Sequence, residues 1–197
     1  VLSGNYPDDR TARLVSPAFL VPPADQLPRL RFWQWWNIAG HDFVQLQIKV
    51  GTNSWQPLGE QITLDGHSRW ARAWHDLTPF AGQSVQIGFY FESHGYSYYC
   101  GGGNYCWALD PGLGWYIDDI TIETGPFSPV TFPENFENGW GDWRVDFIGG
   151  QMTDFGIWEL GVPTSGPGVA HSGSNCFATV LSGNYPDDRT ARLVSPA

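Results

Sequence analysis

The chain has 197 residues and is rich in aromatic side chains (Trp 11, Tyr 8, Phe 12) and turn formers (Gly 24, Pro 15), with one methionine and one lysine, Lys49. This composition predicts an all-β fold of short strands joined by tight turns. The net charge of −10 disfavours partners such as nucleic acid or an anionic membrane surface and favours divalent cations. No apolar run reaches the roughly 20 residues of a membrane-spanning helix.

The first eighteen residues of the chain occur twice. Residues 180–197 repeat residues 1–18 letter for letter, which gives a period of 179 residues. A period of that length holds a whole domain, whereas the unit of a solenoid has roughly 20 to 50 residues. We therefore expect the parent polypeptide to be a series of near-identical domains. The chain would then be one period plus an overlap, read in an arbitrary frame.

Three stretches show the periodicity of strands. The segment Leu30 to Trp36 is apolar on both faces, which is typical of a strand inside a sandwich or under a neighbouring domain. Phe43 to Val50 and Ser84 to Glu92 alternate with period two, so one face is predicted to lie in the core. Turn signals separate these stretches at the spacing of a β-sandwich. The predicted inward residues are Val44, Leu46, Ile48, Val50, Val85, Ile87, Phe89 and Phe91.

A Tyr-rich segment from His94 to Trp107 contains two of the three cysteines. Cys100 and Cys106 flank a flexible Gly-rich loop, so we predict a disulfide between them and an extracellular or cell-surface location. Free thiols, or a bridge that involves Cys176, are the alternatives.

Exposed aromatic side chains could serve either of two purposes here. They could stack on a glycan, or they could pack against an adjacent unit. We favour packing, because each unit of a repeat must present a surface complementary to its own copy. The candidate contact residues are Tyr96, Tyr98, Tyr99, Tyr105 and Trp107 in the segment, with Trp33 and Trp35 on the outer face of the first strand.

A domain boundary is predicted where prolines follow the strand at 114–122. Residues 1–125 are interpreted as the C-terminal two-thirds of one unit and residues 126–130 as a linker. Residues 131–197 would be the N-terminal third of the next unit.

Enzymatic activity is not expected. The paired acids lie next to each other in strands, where neighbouring side chains point to opposite faces, and no nucleophile elbow or P-loop occurs. The five histidines have no metal-ligand spacing, so we expect them at the surface: His41, His67, His75, His94 and His171.

The motifs FENGW, GPGVAHSGSN, ARLVSPAF, LRFWQWW and GWYIDDITI occur in an order that resembles the jelly-roll β-sandwich of MAM-like and bacterial choice-of-anchor surface domains. The chain is more distantly similar to jelly-roll carbohydrate-binding modules. The likeness covers nearly the whole period when the sequence is read from Val130 to Ala197 and on into Phe19 to Thr124. The cysteines depart from the four-cysteine arrangement of animal MAM domains, so that pattern is not carried over.

The resemblance implies a structural Ca²⁺ between the opening and last strands, held by Asp118, Glu137 and Asn175. Alternation in the stretch Tyr116 to Ile122 supports this, because it places Asp118 inward, where a carboxylate needs a partner. Carboxylate and amide oxygens suit Ca²⁺. The alternative is a carboxylate that is satisfied by arginine or by backbone N–H groups.

We therefore expect a non-enzymatic extracellular protein, a tandem repeat or a filament, whose jelly-roll units stack head to tail. Its partners would be identical copies of itself, with exchange of a strand as one form of contact. The alternative function is a carbohydrate-binding or adhesion module that presents the Tyr-rich segment to a polysaccharide. The sequence is compatible both with covalently consecutive units and with separate subunits.

Overall fold

The computed structural model describes residues 2–66, 70–101, 104–108, 112–147, 158–185 and 191–196, with backbone only for 64–66, 96–101, 104–108 and 146–147. These residues form an all-β fold, as predicted, with two short 3-10 helices at Ala24–Gln26 and Thr78–Phe80. The strands are β1 (Arg10–Val15), β2 (Phe19–Leu20), β3 (Arg29–Val50), β4 (Gln56–Gly66), β5 (Ala71–Asp76), β6 (Ser84–Ser93), β7 (Tyr96–Gly101), β8 (Asn104–Ala108), β9 (Gly114–Glu123), β10 (Arg144–Phe147), β11 (Glu159–Gly161), β12 (Cys176–Ala178) and β13 (Ala191–Val194).

The long strand β3 organises the sheet. Its first half pairs antiparallel with β5 and β9, and its second half pairs antiparallel with β4 and β6. The pairing with β4 shifts register between Ile38 and Phe43. Strand β6 continues the sheet to β1 and β2. The result is a curled antiparallel sheet of the kind found in β-sandwiches and jelly rolls.

The core lies between the two halves of the curled sheet. Phe32 of the first half meets Phe89 of β6 edge to face, with ring centroids 5.2 Å apart. Each large apolar side chain buried in this way stabilises the fold by roughly 1.5–3 kcal/mol. The alternation predicted for β3 and β6 is confirmed at the buried residues Val44, Leu46, Ile48, Val85, Ile87 and Phe89, while Val50 and Phe91 are half-buried and pack against the core.

Strand β9 departs from the predicted alternation. Trp115 and Ile117 pack against the core, whereas Asp118 is exposed and its Oδ1 accepts the Asp119 N–H at 2.8 Å. The prediction that Asp118 points into the core is therefore wrong. The physical reason is a change of phase at Asp119, whose φ is +50°, next to a register shift against β3.

The predicted surface position is confirmed for three histidines and wrong for one. His41, His94 and His171 are exposed, while His67 lies outside the described residues. His75 lies in β5 beside Phe32, with ring centroids 6.1 Å apart and planes nearly parallel. Burial lowers its pKa from 6.5 to about 4, against a smaller opposing effect of a hydrogen bond to the Leu58 backbone.

Three small two-stranded sheets complete the described structure: β7 with β8, β10 with β13, and β11 with β12. In the part of the chain that the structure describes, no helix is both long and apolar enough to cross a membrane.

Candidate inter-unit interface

A buried ionic cluster joins the predicted first unit to the predicted second. Arg29 and Arg31 lie in β3, and both contact Glu123 of β9, with Nε–Oε2 distances of 3.4 and 3.0 Å. Arg31 also forms an ion pair with Asp142, and Arg29 lies 3.8 Å from the same carboxylate. A buried guanidinium is costly without partners. Residues on both sides of the predicted boundary thus satisfy one another.

Arg72 and the carbonyl of Gly141 reinforce this contact, since the Arg72 Nη1 donates to that oxygen at 2.7 Å. Burial by itself would raise the pKa of Asp142, but the Ser128 amide and the Arg31 guanidinium outweigh it and hold that pKa below its usual value. Asp142 is therefore an anion at neutral pH, as the arginine partners require.

Aromatic rings extend the same contact over the outer face of β3. Trp33 meets Trp140 edge to face at 5.9 Å. In the predicted linker, Phe127 contacts Trp74 at 6.0 Å, and Arg29 lies over the Phe127 ring at 4.6 Å. Residues 126–130 and the start of residues 131–197, here called the second segment, thus lie on residues 1–125, here called the first segment.

The two tryptophans predicted to contact a neighbouring unit have different environments. Trp33 does contact the second segment through Trp140, whereas Trp35 packs on Tyr116 of β9, with ring centroids 5.2 Å apart. Arg29, Arg31 and Asp142 were not among the predicted contact residues. Two arginines that alternate with apolar residues in one strand were the available signal.

The two copies of the repeated segment make different contacts. Leu181 is 4% exposed, while its counterpart Leu2 is 98% exposed. Conversely Tyr6 is 5% exposed and its counterpart Tyr185 is 69% exposed. Identical sequences therefore bury complementary halves of the segment.

The backbone of Leu181 is held by the second segment. Its N–H donates to the Glu159 carboxylate at 2.7 Å, and its carbonyl accepts the Thr164 N–H at 2.7 Å. Gly161 approaches so closely that a Cβ there would lie 3.0 Å from the Leu181 side chain. In the second copy, the beginning of the repeated segment thus packs on residues 159–164.

Tyr6, in contrast, is anchored in the first segment. Its hydroxyl donates to Asp42 Oδ2 at 2.5 Å and accepts the Ala39 N–H at 2.9 Å. Burial and the hydrogen bond to Asp42 raise the pKa of Tyr6 to about 12. In the first copy, the middle of the repeated segment thus packs on β3.

The strand within the repeated segment also changes partner. In the first copy, β1 pairs with β6, with Leu14 opposite Phe89. In the second copy, β13 pairs with β10, with Leu193 opposite Val145. Leu14 and Leu193 occupy the same position of the repeat, so one strand sequence is complementary to two different strands.

An apolar groove lies open beside β1. It holds about 470 Å³. Its walls are Leu14, Val15, Ser16, Pro17, Phe19, Leu30, Ile87, Phe89, Ile120 and Ile122. Several of these side chains are well exposed, Leu14 and Ile120 most of all.

A second cavity, of about 360 Å³, opens between β4 and β5 where the two segments meet. Aromatic rings make up much of its wall, with Trp36, Trp74 and Trp115 from the first segment and Trp140 and Trp158 from the second. Polar groups of Gln34, Glu60, Arg72 and Arg144 also line it.

Two of the three predicted calcium ligands do meet. Glu137 Oε1 accepts the backbone N–H groups of Ser174 and Asn175 at 2.8 and 2.7 Å, and Oε2 accepts the Asn175 side-chain amide at 3.2 Å. These donors lower the pKa of Glu137, the Asn175 backbone most of all. Gly173 has a φ of +64°, and a Cβ there would lie 2.5 Å from Oε1, so the turn favours glycine.

In the structure the Glu137–Asn175 contact is a set of hydrogen bonds and not a calcium cage. The Glu137 carboxylate faces N–H donors instead of further oxygens, and the carboxylate of Asp118 is exposed on β9. Among the described residues no group of three or more His, Cys, Asp or Glu side chains could hold a metal ion. Glu137 fastens the turn at 173–175, and calcium binding stays a prediction.

The Tyr-rich segment folds as the hairpin of β7 and β8, in which Tyr98 lies opposite Cys106 and Tyr99 opposite Tyr105. Its side chains lie outside the described residues, among them Tyr96, Cys100 and Trp107, so the predicted disulfide and the glycan contacts stay predictions. Cys176 is a free thiol in the described structure.

No family model matches the chain. Over 80 residues it is 32% identical to Bacillopeptidase F of Bacillus subtilis (strain 168). The match covers 41% of this chain and 5% of that protein. The likeness therefore concerns a small part of a much longer polypeptide.

Proposed function

We propose that the chain is a repeat of a non-enzymatic extracellular structural protein whose jelly-roll units stack head to tail. The observation that supports this most directly is the contrast between the two identical segments. One copy buries Leu181 and the other buries Tyr6. In a complete unit a single copy would make both sets of contacts. Each copy of the repeated segment thus makes half of the contacts of a complete unit. We expect a neighbouring unit to supply the other half.

The ionic cluster supports a defined angle between successive units. In the proposed frame, Arg31 belongs to one unit and Asp142 to the next. A buried ion pair contributes little net stability, but breaking it leaves an unpaired charge, at a cost of roughly 3–5 kcal/mol. Successive units would therefore dock in one geometry, and the array would be a rod.

Small-angle scattering of arrays with one, two and four consecutive periods tests the proposal. A rod of stacked units gives a maximum dimension that grows in proportion to the number of periods. Units on flexible linkers would instead grow roughly as the square root. We expect proportional growth, and square-root growth in the unaltered array would contradict the proposal.

The substitution Asp142→Asn in every period is expected to convert the rod to a flexible chain, because it leaves the arginines without their shared anion. The matched control is Asp119→Asn, an exposed acid at which asparagine also tolerates the positive φ. The control array should keep proportional growth.

The wider assignments belong to the same proposal. The resemblance to MAM-like and choice-of-anchor domains supports a surface location. The match to Bacillopeptidase F spans too little of that protein to bring its activity to this chain.

Glycan binding is a second candidate function, favoured by the aromatic cavity between the two segments. Aromatic rings with polar groups at their edges suit sugars, which combine flat apolar faces with hydroxyls. Titration with a panel of soluble polysaccharides, followed by tryptophan fluorescence, would test it. A response that is lost in Trp74→Ala and kept in Trp55→Ala would support binding in this cavity.

These two variants are matched because each tryptophan lies under an arginine, Arg144 at 5.3 Å and Arg13 at 4.7 Å. A response lost instead in Tyr98→Ala or Tyr99→Ala would assign binding to the hairpin. No response to any polysaccharide would exclude this second candidate for the glycans tested.

A further inference from the structure

We infer that two copies of this chain join through one shared strand, in which a single copy of the repeated segment lies between β6 of one molecule and β10 of the other. The inference rests on the proposed head-to-tail function and names its contact surface. Strands β1 and β13 lie in the two copies of the repeated segment and share the same sequence. Strand β1 pairs with β6 and strand β13 pairs with β10, and in the described residues neither makes a second pairing.

The two pairings use opposite edges of the strand. Ser16 lies opposite Ile87, and its N–H donates to the Ile87 carbonyl at 2.9 Å. In an antiparallel ladder the backbone groups of alternate residues face the same neighbour. Those of Leu14 therefore face β6, and those of Arg13 and Val15 face the open edge of β1.

The second copy supports the same division of edges. The carbonyl of Ala191, which is the counterpart of Ala12, accepts the Trp158 indole N–H at 3.4 Å. Ala12 shares the phase of Leu14, whose backbone faces β6. In the second copy, the Trp158 side chain contacts this edge of β13, so β10 pairs with the opposite edge. One strand can consequently accept β6 and β10 at the same time.

The register of the second pairing places β10 of a second molecule on β1 of the first. Val145 would lie opposite Leu14, and Arg144 opposite Val15, as they do opposite Leu193 and Val194. Val145 would then extend the wall of the apolar groove beside β1. This addition covers the exposed side of Leu14, which accounts for a large apolar side chain at that edge.

The exchange conserves backbone pairing. Before contact, β6 and β10 each pair with their own copy of the repeated strand. After contact, one copy serves both strands and the other copy is released. No ladder is lost, the released copy regains conformational freedom, and the open edge of β1 is covered. A heterologous contact of this kind extends to an open fibre when its rotation does not close into a ring.

Disulfide trapping in the full-length chain tests the register. In a Cys176→Ser background, Leu14→Cys and Val145→Cys chains are mixed and oxidised. Leu14 and Val145 would form a non-hydrogen-bonded pair, in which the Cα atoms lie about 4.5 Å apart, within the range for a disulfide. We expect a heterodimer that appears only with both variants, linked between these two residues by peptide mass mapping.

Two controls calibrate the trapping. The double variant Leu193→Cys with Val145→Cys should form its bond within one chain, since these residues are opposite each other in the structure. Leu20→Cys, at a similarly exposed position on β2, replaces Leu14→Cys as the negative control. A Leu14 yield no higher than the Leu20 yield would overturn the inference.

A matched pair of proline substitutions gives a second, independent test. Proline blocks pairing at an edge whose N–H it removes, and it is tolerated where that N–H faces solvent. Val194→Pro should release β13 from β10 and so increase dimers and larger species in sedimentation velocity several-fold. Val15→Pro added to it should abolish that association, because the open edge of β1 is then blocked.

The outcomes separate this inference from the proposed function. A folded Val194→Pro chain that stays monomeric, or a double variant that associates as strongly as the single one, would overturn the shared strand. If disulfide trapping and the proline variants contradict the shared strand while tandem arrays still scatter as rods, stacking depends on the ionic cluster alone. If trapping succeeds while tandem arrays are flexible, the shared strand stands and the rod does not.

Discussion

The repeated segment offers a controlled experiment within one molecule, because the same leucine is buried in one copy and exposed in the other. Replacing Leu181 by alanine removes the equivalent of three carbons from a site that is 4% exposed. At about 0.8 kcal/mol per buried carbon, the transfer contribution is about 2.4 kcal/mol. The small two-stranded sheets around it can partly collapse, so we expect a total cost of about 2–3 kcal/mol, near the low end for such substitutions.

The identical substitution at Leu2 should have almost no effect. Leu2 is 98% exposed, and surface changes of this kind usually fall within about 0.5 kcal/mol of zero. For a chain of this length, a cost of about 2.5 kcal/mol corresponds to a melting temperature lowered by about 5–10 °C.

The assay is urea and thermal unfolding of the two variants, with hydrogen exchange of peptides that cover residues 159–181 to locate the effect. The Leu181 variant should lose protection in those peptides, and the Leu2 variant should match the unaltered protein. Equal effects of the two substitutions, or a neutral Leu181→Ala, would refute the claim that the copies have different environments.

Tyr6→Phe should cost about 1–3 kcal/mol, since it leaves a buried carboxylate and an amide without their hydroxyl partner, while Tyr185→Phe should be neutral; urea midpoints compare the two. His75 is neutral in the fold, with a pKa of about 4 against 6.5 when unfolded, so the unfolded state binds more protons between these values and stability falls as pH drops from 6.5 towards 4. The loss should reach about 3 kcal/mol, and the unfolding midpoints of His75→Gln should lack this component of the pH dependence; equal pH profiles would contradict it. If calcium is bound, a chelator should lower the melting temperature and added Ca²⁺ should restore it; an unchanged value would exclude a stabilising metal.

The alternation of apolar and polar residues was sufficient to predict which side chains point inward where one face of a strand is buried and the other is exposed to solvent. The second half of β3 and strand β6 alternate in sequence, and most of their predicted inward residues are buried, although Gln45 on the other face of β3 is buried as well. The same reasoning failed at Asp118. A single residue with positive φ, Asp119, shifts the phase of the strand, and nothing in the alternation of neighbouring residues marks it.

The candidate interface was only partly accessible to sequence reasoning. The duplicated segment and the outer position of Trp33 could be read directly from the letters. The partners of Arg29 and Arg31 could not, because Asp142 lies more than a hundred residues away along the chain and reaches them only after folding. Glu137 and Asn175, which were predicted to bind calcium together, do lie side by side, but the contact between them is a set of hydrogen bonds from the turn at 173–175 to the carboxylate. That geometry depends on the backbone of the turn, and the calcium site stays a prediction.

The sequence by itself determined that eighteen residues occur twice, 179 positions apart, and its composition predicted the all-β fold, since duplication and composition are properties of the chain alone. Only the tertiary structure decided what each copy of the duplicated segment does. Two identical segments bury different residues and pair with different strands. Burial and strand pairing depend on the surfaces that lie next to a segment in space, and these surfaces differ at the two ends of the chain.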